Sequence, residues 1–108
     1  MSRPKVVCLC GSCRFYETWQ RVAFDLSLQS VITVGVAFWP GAREHGQQAG
    51  ITPEQKVALD ELHRRRIDIS DEILVLNVGG YVGDSTRGDI DYARSTGKPV
   101  HWLEPETV

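Results

Sequence analysis

Three groups of residues in this chain carry side chains or backbone suited to chemistry. Cys8, Cys10 and Cys13 crowd together around Gly11-Ser12 and are followed by Arg14. A second short loop, Gly83-Asp84-Ser85-Thr86, is again built of small and hydroxyl residues and leads into a helical pattern carrying Arg87, Asp89 and Asp91. The third is a lone histidine, His63, on an intervening helical segment. Gly11-Ser12 and Gly83 to Thr86 share one design, since small residues at a helix start leave backbone N–H groups and the helix dipole free to attract an anion. Arg14 and Arg87 could add charge-assisted donors to a phosphate. Ser12, Ser85 and Thr86 can equally serve only as N-caps.

Asp89 falls one turn into its helix, where a carboxylate beside a bound anion can act as nucleophile or base. An acidic residue in a first turn also stabilises the helix on its own account. Asp91 lies about 200° further around a helix of 3.6 residues per turn, so only one of the pair can face a site, and we assign that role to Asp89. His63 titrates near neutrality and could supply a proton as a general acid, although a lone histidine on a helix can also be a polar surface residue. As a metal motif, C-x-C-x-x-C needs at least one further nitrogen, sulfur or oxygen ligand. The first two cysteines sit inside the apolar run KVVCLC, so all three read as small buried side chains and no metal is expected. An odd number of thiols so close together makes no disulfide framework and points to a reducing compartment.

The elements that must position these residues follow a βαβ rhythm. Lys5–Cys10 reads as a strand buried on both faces, and Phe15, Trp19, Val22, Ala23 and Leu26 recur at helical spacing after it. Val31–Trp39 is β-branched and aromatic and predicts a second strand, closed by Pro40-Gly41 and a long polar loop to about Ile51. Thr52-Pro53-Glu54-Gln55 is a helix start, with Thr52 capping, Pro53 at the first helical position and Gln55 reaching back. Ala58, Leu59, Leu62 and Ile69 are expected on that helix's inner face and Arg64-Arg65-Arg66 mostly on its outer one. Glu72–Asn77 and Pro99–Leu103 complete the strands, with a third helix through Ile90 and Ala93 ending near Gly97. These elements predict an α/β, Rossmann-like or flavodoxin-like, three-layer fold with a short parallel sheet of four strands. Its ligand site belongs beyond the carboxyl ends of the strands.

With 108 residues, 42% hydrophobic and 24% charged, the chain fits one globular domain, residues 1–108. A formal net charge of −2 offers no bulk attraction to polyanions, so long nucleic acids and acidic membrane surfaces are not expected partners. The absence of a membrane-spanning apolar run and of a secretory leader in MSRPKVV leads us to expect a cytoplasmic protein.

CGSCRF after the first strand, HRRRIDISDEILVLNVGGYVG, and GDSTRGDIDYARSTGKPV together resemble the nucleoside 2-deoxyribosyltransferase family. The likeness extends to the related 2′-deoxynucleoside 5′-phosphate N-hydrolases and covers most of the chain. It implies a nucleoside 5′-monophosphate as partner, no metal or organic cofactor, and a nucleophilic acid nine residues before the lysine of the last turn. Counted from Lys98, that acid is Asp89. The family carries Glu at this place, and an aspartate holds its carboxylate back by about 1.5 Å, one methylene. The family's tyrosine three residues before the first-loop glycine falls on Cys8, and its aspartate eight residues before the acid preceding strand three falls on His63.

The resemblance thus implies an N-glycosidase, either a hydrolase or a deoxyribosyltransferase. Asp89 attacks C1′, the base leaves with a proton from an acid such as His63 or water, and water or a second base resolves the glycosyl-enzyme. Phosphate is expected on Gly83, Asp84, Ser85 and Thr86, with Gly11, Ser12 and Arg14 over the sugar and base; Arg43, Glu44 and His45 are positioned to read the base. The same loops without catalysis would make a nucleotide-binding module, and the glycine-rich loop followed by an acid also resembles phosphoribohydrolase-type enzymes. A homodimer is expected, both from the resemblance and from the small sheet, with Trp39, Tyr81 and Trp102 as interface aromatics.

Overall fold

The computed structural model describes residues 3–38 and 50–105. Four strands, β1 (Val6–Cys10), β2 (Ile32–Val34), β3 (Glu72–Val75) and β4 (Val100–Trp102), form one sheet in the order β2-β1-β3-β4. Every pairing is parallel, and β1 is central, matching Cys8 to Val34 on one side and to Ile73 on the other. Helices α1 (Tyr16–Leu28), α2 (Pro53–Asp68) and α3 (Asp84–Ser95) connect the strands. The result is the Rossmann-like three-layer α/β arrangement expected from the alternation of strand and helix patterns.

The two-residue period of β1 divides the core. Val7 and Leu9 join Trp19 and Val22 of α1 and Leu76 on one face of the sheet. Cys8 and Cys10 point the other way, into a cluster with Ile67 of α2, Ile73 and Val75 of β3, and Ile90 and Ala93 of α3. A strand buried on both faces is therefore apolar at every position, as the continuous run VVCLC requires.

Every strand is shorter than expected: β1 starts at Val6 rather than Lys5, β2 at Ile32 rather than Val31, and β4 spans Val100–Trp102 rather than Pro99–Leu103, while the largest differences are at the ends of β2 and β3. Strand β2 stops at Val34 rather than reaching Trp39; the next residue, Gly35, lies against the Trp19 ring, where a Cβ would come within 2.7 Å. Strand β3 stops at Val75 rather than Asn77. There the Asn77 side chain takes over the pairing, donating to the Glu104 carbonyl at 3.0 Å and accepting from its N–H at 2.9 Å. A 3₁₀ turn follows at Val78–Gly80, with Gly79 at φ +63° and Gly80 at φ +83°, a left-handed pair that glycine adopts without a Cβ penalty.

The start of α2 forms as read from the sequence: Thr52 Oγ1 accepts from Gln55 N and Gln55 Oε1 accepts from Thr52 N. Its inner face is different. His63 and Ile67 are the buried residues, while Ala58, Leu62 and Ile69, expected inside, are exposed. The helix is rotated so that Lys56, Leu59, Asp60, His63 and Arg66 face a cavity at the sheet. Helical spacing alone places the apolar side chains of a helix on one side, and here the side that packs inward is partly polar because it lines a site. Among the described residues no helix is long and apolar enough to cross a membrane.

Candidate functional site

The sheet order reverses between β1 and β3: the chain moves outward from β1 to β2, then crosses back to add β3 and β4 on the other side. Loops leaving the carboxyl ends of such strands diverge and leave a crevice. A cavity of about 30 Å³ lies there, lined by Gly11, Val36, Ala37, Lys56, Leu59, Asp60, His63, Arg66, Ser85 and Asp89. It adjoins a wider recess of about 520 Å³ that shares Ala37 and Leu59 with it and adds Phe38, Gly50, Ile51, Gln55 and Ala58.

Asp89 and His63, far apart in sequence, meet here. Nε2 of His63 is 3.6 Å from Asp89 Oδ2, and the two side chains are only 5% and 15% exposed. The same Nε2 lies 3.3 Å from Cys10 Sγ and 3.8 Å from Cys8 Sγ. The ring's other nitrogen, Nδ1, is buried with no protein hydrogen-bond partner. Burial raises the Asp89 carboxyl to about 6, against the opposing pull of His63. Burial pulls His63 down, but the Cys8 thiol and the Asp89 carboxylate outweigh it, so its pKa ends above the ordinary imidazole value. The hydrogen bond between Cys8 and Cys10 favours ionisation of Cys8 and opposes that of Cys10, whose burial raises it further.

Lys56 and Asp60 complete the rim. Lys56 Nζ bonds Asp60 Oδ2 at 2.5 Å, one helical turn away, and Ser85 Oγ at 2.8 Å, which ties α2 to the first turn of α3. Helix α3 starts on Gly83, which has no side chain to cap the first-turn N–H groups.

The structure brings Gly11, His63, Ser85 and Asp89 together, and it sends the other sequence-derived residues elsewhere. Ser12 caps the 3₁₀ turn Cys13–Phe15, accepting from Arg14 N. Arg14, exposed, stacks its guanidinium 4.7 Å from the centroid of the Tyr81 ring. Gly83 packs close to the Tyr81 hydroxyl, Asp84 is exposed and Thr86 is buried. Arg87 and Asp91 line a separate groove with Ile90, Arg94 and Trp102, so Asp89 and Asp91 face different ways as the 3.6-residue period requires. Gly11 also packs tightly, since a Cβ there would meet Leu76 Cβ at 3.1 Å. Trp39, Arg43, Glu44 and His45 lie outside the described residues.

Lys56, Asp60 and Arg66 were not singled out from sequence. The signal was present as charges at i, i+4 and i+10 on a helix whose cap is unambiguous, but only the rotation of α2 turns them inward. Arg66 in particular belongs to the run expected on the outer face. No protein-family model, curated protein or solved structure matches this chain.

Proposed function

We propose that this chain binds nucleoside 5′-monophosphates and cleaves the bond between base and sugar, with Asp89 as the nucleophile and His63 as the proton donor. The observation that carries this reading is the pairing of a largely buried carboxylate with a buried imidazole, 3.6 Å apart, at the crevice where the sheet order reverses. An oxocarbenium-like transition state calls for a carboxylate on one side of C1′ and a proton source for the departing base. Two titratable groups pushed upward by their surroundings suit those tasks near neutral pH. The sequence resemblance supplies the substrate class.

The cations that line the cavity, Lys56 and Arg66, take the place assigned to Arg14 and Arg87. Lys56, with Ser85 and the uncapped N–H groups of α3, holds the phosphate end. The base lies in the adjoining recess against Phe38, Ile51 and Leu59, whose volume falls within the usual range for small-ligand pockets.

The chain acts as a homodimer in this reading. Ala58, Leu62 and Ile69 lie on one side of α2 and are exposed, which gives two copies an apolar stripe to share. Tyr81 is 43% exposed, whereas Trp102 packs against the core.

The test is incubation with a panel of ribo- and 2′-deoxynucleoside 5′-monophosphates, following free base by chromatography, beside Asp89→Asn. Release that disappears in the variant while nucleotide still raises the melting temperature is the expected result. No release from any nucleotide, with the thermal shift retained, would leave a binding module without chemistry.

A further inference from the structure

We propose that Cys8, Cys10 and His63 form a buried binding site for a thiophilic divalent cation of the zinc type. The proposal goes beyond the glycosidase reading and stands on different atoms, the two thiols. Strand β1 presents Cys8 and Cys10 on the same side, because side chains two residues apart share a face, and α2 lays His63 across them. The two sulfurs and Nε2 lie within 4.8 Å of one another, and all three residues are buried.

The spacing suits one ion. Zinc bonds of about 2.3 Å to sulfur and about 2.0 Å to nitrogen, set at tetrahedral angles, hold sulfur and nitrogen about 3.5 Å apart. The observed separations from Nε2 are 3.3 Å to Cys10 Sγ and 3.8 Å to Cys8 Sγ. Charge argues the same way. Two thiolates and a neutral imidazole neutralise a divalent ion, and burial penalises any net charge left over. Soft sulfur donors select zinc-like ions over magnesium and calcium, which prefer oxygen.

Binding forms two metal–sulfur bonds and one metal–nitrogen bond, and the protons that the two thiols and His63 Nε2 carry are released to solvent. The fourth position is open to a water, which keeps the site neutral, and Asp89 Oδ2, 3.6 Å from Nε2, is near enough to accept a hydrogen bond from it. Cys13, the third cysteine of the sequence motif, belongs to the turn after β1 and is outside the cluster. An ion on Nε2 deprives His63 of the proton it would hand to a leaving base, so the metal-bound form is the inactive one.

The experiment uses the full chain, reduced and washed free of metal with a chelator, titrated with Co²⁺ as a spectroscopic probe. We expect saturation at one equivalent with an intense near-ultraviolet sulfur-to-cobalt band, displaced by Zn²⁺. Cys8→Ser, Cys10→Ser and His63→Gln should each weaken affinity by more than about 100-fold, since even groups that only support a ligand are worth about 10–100-fold. Cys13→Ser should leave affinity unchanged. Far-ultraviolet circular dichroism establishes that each variant is folded, and an unfolded cysteine variant leaves the decision to His63→Gln. No sulfur-to-cobalt band, or equal affinity in folded Cys10→Ser, overturns the site. Base release plays no part in these readouts, so a protein that binds cobalt but cleaves nothing keeps this site and loses the glycosidase reading.

Discussion

At the residue scale, the chemistry of the proposed site depends on how one carboxyl group is placed. Aspartate carries its carboxylate about 1.5 Å closer to the backbone than glutamate, and misplacement by about 1 Å can cost about 100-fold in rate. Asp89→Glu, restoring the reach of the glutamate carried by the family the sequence resembles, is therefore expected to raise the rate of base release in a single-turnover assay, and Asp89→Asn to abolish it. In metal-free protein the rate should follow a bell-shaped pH profile. Asp89 must lose its proton to attack, so activity rises as pH passes through about 6. His63 must keep its proton to deliver it, so activity falls again as pH passes its raised pKa. Because the two groups interact, both limbs belong to the pair, and His63→Gln should remove the alkaline limb.

At the scale of elements, short contacts at strand ends hold the loops in place. Trp19 Nε1 donates to the Ser12 carbonyl at 3.0 Å, so α1 fixes the loop after β1. Gly35 lies so close to the Trp19 ring that an added Cβ would approach to 2.7 Å. Gly35→Ala is expected to lower stability by about 1–3 kcal/mol, the usual cost of overpacking, measured by urea unfolding. Asn77, 1% exposed, replaces strand pairing with two side-chain bonds to the Glu104 backbone. Asn77→Ala leaves the half-buried N–H and carbonyl of Glu104 without these partners and should cost about 1–3 kcal/mol by the same measurement.

At the scale of the molecule, Arg3 ties the segment before β1 to the amino ends of the two central strands through two bonds of 2.8 Å to Asp71, which also accepts from Val6 N. The Arg3 guanidinium and the Val6 N–H hold the Asp71 carboxyl well below the usual carboxylate range. A carboxyl lowered on folding contributes stability above its unfolded pKa, about 4, and loses it as pH falls toward the folded value. Asp71→Asn should thus show a smaller drop in melting temperature between pH ~5 and pH ~2 than the parent protein, with the difference shrinking in high salt. Assembly is the other property at this scale. The exposed Leu62 and Ile69 on α2 predict a dimer by analytical ultracentrifugation, and Leu62→Glu should shift it to monomer, because a charge on that stripe must be desolvated to pair.

The sequence by itself determined the layer order and the outline of most elements. A run apolar at every position, VVCLC, can only be a strand covered on both faces, and Thr52-Pro53-Glu54-Gln55 can begin only one kind of element. Period alone also separated Asp89 from Asp91. These features are local, since the chemistry of a few neighbouring residues is enough to specify them. Tertiary structure decided which polar residues meet. Cys10 and His63 are 53 residues apart in sequence yet 3.3 Å apart in space. Helix α2 buries His63 while exposing Leu62 and Ile69, and no count of apolar residues along the helix foretells that rotation. It arises because β1 and α3 offer His63 polar partners in Cys8, Cys10 and Asp89, contacts that exist only once distant segments are packed together.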